Sequence, residues 1–201
     1  MIDVQAITEL HRATVERWHR QEIDNPCEGF LQLVCQQHER NYRLWHEEDV
    51  ARSPDAGDAQ IAAVKRKIDS LNQQRNDLIE KLDDALIANL VAWSVKPRRG
   101  AKLNTETPGS AIDRLSILAL RIYHMEEQAA RQDVDEQHRE KARTKLKVLC
   151  EQRRDLSKAL GELWRDVFTG RKRMKVYRQF KMYNDPALNP HLYGKGKKSA
   201  A

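Results

Sequence analysis

Asn104-Thr105-Glu106-Thr107-Pro108-Gly109-Ser110-Ala111-Ile112-Asp113-Arg114-Leu115-Ser116-Ile117-Leu118-Ala119-Leu120-Arg121-Ile122-Tyr123-His124-Met125-Glu126-Glu127 carries the fullest helix-start signal in the chain. The Thr107 hydroxyl suits an N-cap, and Pro108 suits the first helical position, where its missing N–H would be unpaired anyway. Ile112, Leu115, Leu118 (or Ala119) and Ile122 then recur every three or four residues, which predicts a buried helix over 108–132. Asp113 follows directly on Ile112 of that stripe.

Working outward, the basic loop Lys96-Pro97-Arg98-Arg99-Gly100-Ala101-Lys102 leads into this stretch. Before it, Ile61, Val64, Ile68, Leu71, Arg75, Leu78, Leu82, Ala85, Asn89 and Trp93 step by three and four, predicting a long helix over 59–93 whose seam holds one arginine. After it, a helix is expected over 136–168, ending at Gly170. A helix over 28–52 presents Leu31, Val34, His38, Asn41, Trp45 and Glu48/Asp49. A first helix with Ile7, Leu10, Thr14 and Trp18 on one face is expected to end at Asp24-Asn25-Pro26. Only 8 glycines and 6 prolines punctuate 201 residues, so long helices are expected and strands are not.

Sliding the chain on itself by 78 residues superposes Lys67, Ile68, Leu71, Gln74, Arg75, Asp77, Leu78 and Leu82 on Lys145, Leu146, Leu149, Gln152, Arg153, Asp155, Leu156 and Leu160. The same offset places Leu44-Trp45-His46 on Ile122-Tyr123-His124 and Glu48-Asp49 on Glu126-Glu127. Chance agreement of heptads explains the leucines but not the shared Gln-Arg-x-Asp-Leu. The expected architecture is all-α, an elongated helix bundle of two repeated antiparallel helical hairpins with an N-terminal helix and a C-terminal strap. It forms one domain over 1–193: helix 1–26, hairpins 28–94 and 106–168, strap 171–193. A disordered tail follows over 194–201.

A pseudo-twofold axis along such a bundle sets equivalent residues at one level and predicts two polar layers. In the first, Arg75 and Arg153 join Asp113 near the helix start at 108. Free N–H groups at Thr107, Gly109 and Ser110, with Arg98 and Arg99 from the basic loop, would receive an anion such as a phosphate. The competing reading is a closed salt-bridge layer in which Asp113, Asp77 and Asp155 satisfy the arginines. In the second layer, His46/Asp49 and His124/Glu127 are i,i+3 pairs on two helices. They form a candidate metal-ligand set, against which stands a satisfied hydrogen-bond network. The segment Tyr177-Arg178-Gln179-Phe180-Lys181-Met182-Tyr183, followed by Tyr193, reads as an amphipathic strap whose aromatics cover the core, with base stacking as its alternative.

Several classes are excluded by what the chain lacks: it has no nucleophile elbow, P-loop, zinc-finger spacing or dinucleotide fingerprint. No histidine among His11, His19, His38, His138 and His191 pairs visibly with a serine or cysteine. Three cysteines without a CxxC pair point to a reducing compartment. No apolar run approaches a membrane span or a leader peptide, so a cytoplasmic place is expected. Lys+Arg 36 against Asp+Glu 30 gives net +6, a mixed-sign surface that suits a small anionic ligand better than nucleic acid. A homo-oligomer is compatible with this composition.

Leu44-Trp45-His46-Glu47-Glu48-Asp49, Leu71-Asn72-Gln73-Gln74-Arg75-Asn76-Asp77, the stretch from Asn104 to Met125 and Lys175-Val176-Tyr177-Arg178-Gln179-Phe180-Lys181-Met182-Tyr183-Asn184-Asp185 together resemble an uncharacterised bacterial domain-of-unknown-function family. The resemblance covers residues 28–193, and its members tend to be encoded near glycosyltransferases for lipopolysaccharide and other surface glycans. It implies a cytoplasmic role in surface-glycan assembly and supplies no catalytic residues or cofactor. The expectation is a protein that binds a phosphorylated ligand, such as a nucleotide-sugar, or supports a glycosyltransferase. Its alternatives are a metal-dependent hydrolase or transferase centred on the histidine layer, and a purely structural interaction protein.

Overall fold

The stretch from Asn104 onward does start a helix, and its cap is built as the residue types require. In the computed structural model, which describes residues 2–180 and 186–190, Thr107 is extended and its Oγ1 accepts from the Ser110 N–H at 3.1 Å. Pro108 opens α4 (Pro108–Ala130). The chain turns over 131–135, where the Asp135 carboxylate accepts from the His138 N–H and caps α5 (Glu136–Phe168). The other hairpin is α2 (Gly29–Ala51) and α3 (Asp58–Ala92), and α1 (Val4–Trp18) precedes both. This is an all-α helix bundle.

Within the bundle α1, α2 and α4 run parallel, because their contacts keep a constant register. His11 meets His38 and His38 meets Ser116 at one level, while His19, His46 and His124 meet at another. Eight residues separate the two levels in each helix, roughly 12 Å. The apolar core alternates with them. Ile7, Val34, Leu82, Ile112, Leu115 and Leu160 form one buried cluster, and Val15, Trp18, Cys35, Tyr42, Ala119 and Leu120 form the next.

Four expectations need correction. The first helix stops at Trp18, not at Pro26, because Arg17 and the Trp18 indole both donate to Asp24 and fold the chain back. Strands do occur: β1 (Lys102–Leu103) and β2 (Lys172–Arg173) form a parallel pair that ties the basic loop to the end of α5. The heptad seam of α3 holds from Val64 to Leu82, but beyond that Asp83 and Leu86 are buried while Trp93 is 70% exposed. There α3 meets the N-terminus of α4, so a different face is covered.

The strap is also held differently from the expectation. Met174 packs beside Leu86 and Leu163, but Tyr177 is half exposed and Phe180 is 81% exposed, so these aromatics do not seal the core. Charge fixes the segment instead, with the Arg178 guanidinium on Glu80 and Asp84 of α3. Tyr183, Tyr193 and the tail 194–201 lie outside the described residues. Among the described residues, no helix is long and apolar enough to cross a membrane.

Candidate functional site

The N-terminus of α4 is the first place to test for an anion, and the protein itself has filled it. Gly109 N–H donates to Asp83 Oδ1 at 2.7 Å, and Ser110 N–H is taken by Thr107. Asp83 is buried, and that burial pushes its carboxyl up to about 6 against the opposing pull of the Thr107 hydroxyl and the Gly109 N–H. Of the N–H groups expected to be free, that of Gly109 is therefore taken by a carboxylate delivered by α3 and that of Ser110 by the capping hydroxyl. A β-carbon on Gly109 would sit 2.7 Å from the Ile79 carbonyl and 2.8 Å from Asp83, so glycine is what lets α3 come this close.

Arg75 and Arg153 do not converge either. Arg75 stands 3.8 Å from Asp113 in a groove shared by α2, α3 and α4 and also lined by Asn41, Trp45, Asn72 and Arg121. Arg153 lies on the other side of α4, with Arg12, Arg20, Tyr123 and Glu126. The two grooves share five lining positions at the 78-residue offset: Asn41/Ala119, Leu44/Ile122, Trp45/Tyr123, Glu48/Glu126 and Arg75/Arg153. A twofold relation sets such pairs at one height but sends them to opposite flanks, which is why the arginines are apart. Arg98 caps the end of α5 by donating to Thr169 O, and Arg99 is exposed with no hydrogen bond or ion pair among the described residues. Asp77 accepts from Gln73 and Asp155 lines a separate groove, so neither joins Asp113.

Asp113 instead belongs to a buried amide-rich layer. Its Oδ1 accepts from Gln37 at 2.6 Å and Asn41 at 2.9 Å, and burial raises its carboxyl while Arg75, Asn41 and Gln37 pull it down. Asn41 also donates to Ser116 Oγ, which lies 2.7 Å from His38 Nδ1. That serine–histidine pair was not visible in the sequence. Both side chains are completely buried, and burial with neighbouring His11 drives His38 well below its ordinary pKa. With no route for a substrate, the pair is a core hydrogen bond.

The second layer does assemble, with a member the sequence reading left out. His19, His46 and His124 each bring a ring nitrogen within 4.8 Å of the other two. Asp49 is not among them and lines the Arg75 groove. Glu127 accepts from His124 Nδ1 at 2.7 Å and so orients the ring. His46 is lowered by burial first and by its two neighbouring imidazoles second. The signal that would have found His19 is the eight-residue spacing repeated as His11/His19, His38/His46 and Ser116/His124. No curated protein and no solved structure matches the chain. Residues 31–176, from early in α2 to just past β2, match the family described as protein of unknown function (DUF4254), and the chain belongs to that family.

Proposed function

We propose that this protein binds a phosphorylated small molecule, such as a nucleotide-sugar, in the groove between α2, α3 and α4, as a cytoplasmic component of surface-glycan assembly. The observation that carries the reading is Arg75. Its side chain is 27% exposed and its nearest carboxylate, Asp113, stands at 3.8 Å with the facing oxygen already accepting from two amides. Its Nε is buried without a hydrogen-bond partner. A planar, permanently charged fork left open beside a groove of about 400 Å³ suits a bidentate phosphate oxygen pair. Arg121 on the same wall has no ion pair among the described residues, Asn72 offers a neutral donor, and the Trp45 ring supplies a flat face for a sugar or base. The glycan context comes from the family resemblance, which also leaves room for a role beside a glycosyltransferase.

Isothermal titration with a panel of sugar nucleotides and sugar phosphates tests the reading. A charge-assisted hydrogen bond contributes about 1.5–3 kcal/mol, so Arg75→Met should weaken the bound member about ten- to a hundredfold. Binding unchanged in Arg75→Met, or no member of the panel bound by the natural chain, overturns it in favour of a structural role for the layer.

A further inference from the structure

We propose that His19, His46 and His124 form a three-histidine site for a divalent transition metal of the zinc class, with a fourth coordination position left for water or a ligand. The site stands on different residues from the Arg75 groove and does not depend on that reading. Each ring comes from a different parallel helix: His19 closes the end of α1, His46 sits in the last turns of α2, and His124 sits in α4.

The geometry has the dimensions of such a centre. Zinc about 2.0–2.1 Å from three imidazole nitrogens in tetrahedral arrangement sets the ring centroids roughly 5 Å apart. Here they are 5.2 Å (His19 to His46), 5.1 Å (His19 to His124) and 6.0 Å (His46 to His124) apart. The three rings stand edge-on to each other, at 65°, 74° and 82°, so none stacks on another.

The proton inventory points the same way. His19 Nδ1 lies 2.7 Å from the Val15 carbonyl, which only accepts, so Nδ1 carries the proton and Nε2 presents a bare lone pair. His124 Nδ1 faces the Glu127 carboxylate at 2.7 Å, with the same consequence. All three Nε2 atoms are buried and none has a hydrogen-bond partner. In an ordinary histidine network one ring would donate to its neighbour. Two bare lone pairs and a third buried, unpartnered ring nitrogen gathered in one place are what a cation satisfies together. Carbonyl or carboxylate partners on the far nitrogen are also how metal-bound histidines are held and made more basic.

The rings have little freedom to turn away. Tyr123 stacks on His19 at 4.3 Å and 22°, Trp45 stacks on His124 at 4.8 Å and 9°, and Tyr42 packs edge-on against His46 at 4.6 Å. Three neutral imidazoles without a thiolate select zinc, cobalt, nickel, copper or ferrous iron over magnesium or calcium, which take oxygen ligands. Three protein ligands rather than four leave the site open.

The test uses the full chain, stripped with a chelator and titrated with Zn²⁺ alone by calorimetry, and with Co²⁺ alone by visible absorption. One zinc per chain is expected, with a reversible rise in melting temperature, and the cobalt form should show the intense bands of four-coordinate geometry. His19→Ala, His46→Ala and His124→Ala should each abolish stoichiometric binding. Glu127→Gln should weaken it about ten- to a hundredfold, as loss of an orienting partner does. Asp49→Asn should leave it unchanged. The site is overturned if the natural chain binds neither metal stoichiometrically, or if all three alanine variants bind as well as it does. Should an alanine variant fail to fold, the cobalt spectrum of the natural chain decides alone, since six-coordinate or absent bands refute the proposed four-coordinate site.

Discussion

At the scale of single residues, the buried titratable groups pull stability in opposite directions with pH. Burial pushes His11 down to about 3 and lowers His38 in the same direction. The unfolded chain takes up these protons near pH ~6.5 while the folded chain resists, so their contribution is full above that pH and is lost as the pH falls. Asp83 behaves oppositely: its folded value of about 6 lies above the ordinary carboxylate range near ~3.9. The folded state therefore gains stability as the pH falls from about 6 toward 4, and Asp113 is raised with the same sign. His11→Leu should flatten the acid loss, and Asp83→Asn should steepen it, each by up to about 1.4 kcal/mol per pH unit. Urea midpoints measured from pH 4 to 7.5 would show both slopes, and an unchanged slope in His11→Leu would mean that His11 is already protonated in the fold.

At the scale of elements, the start of α4 is where three constraints coincide. Thr107 caps the helix, Asp83 takes the Gly109 N–H, and the absence of a side chain at Gly109 lets the α3 backbone pass. Gly109→Ala should destabilise the protein by about 1–3 kcal/mol, because the obstructing Ile79 carbonyl is backbone and cannot rotate away. Thermal and chemical melts check this, and a neutral outcome would show that α3 and α4 can separate locally at no cost. The cap and the proline were legible in the sequence because they act within four residues. Asp83 was not, since an acidic residue beside a heptad position reads as solvated surface until a second helix end is laid against it.

At the scale of the whole molecule, α1 converts two related grooves into different ones. It lies along α2 and α4, and with the turn that ends it supplies His11 and His19 to the two polar levels and Arg12 and Arg20 to the Arg153 groove. Trp18 anchors it: the ring is buried, stacks on His38 at 5.3 Å, meets Tyr42 edge-on and donates to Asp24. Trp18→Ala should cost about 3–5 kcal/mol and release α1 before the rest of the bundle. Hydrogen exchange would then show lost protection over 4–18 with protection of α4 and α5 retained. Uniform loss across all helices would show instead that α1 is part of one indivisible core.

The sequence by itself determined the helices, their boundaries to within a few residues for all but the first, the cap of α4 and the height at which His46 and His124 stand. These follow from spacing and local hydrogen bonding, which depend on neighbours along the chain. Only the tertiary structure decided which flank each arginine faces, that Asp83 fills the end of α4, that Asp49 turns to a groove, and that His19 completes the histidine group. Those outcomes depend on the rotation of one helix against another and on where α1 docks. Periodicity gives a helix its buried stripe but leaves its partner unstated.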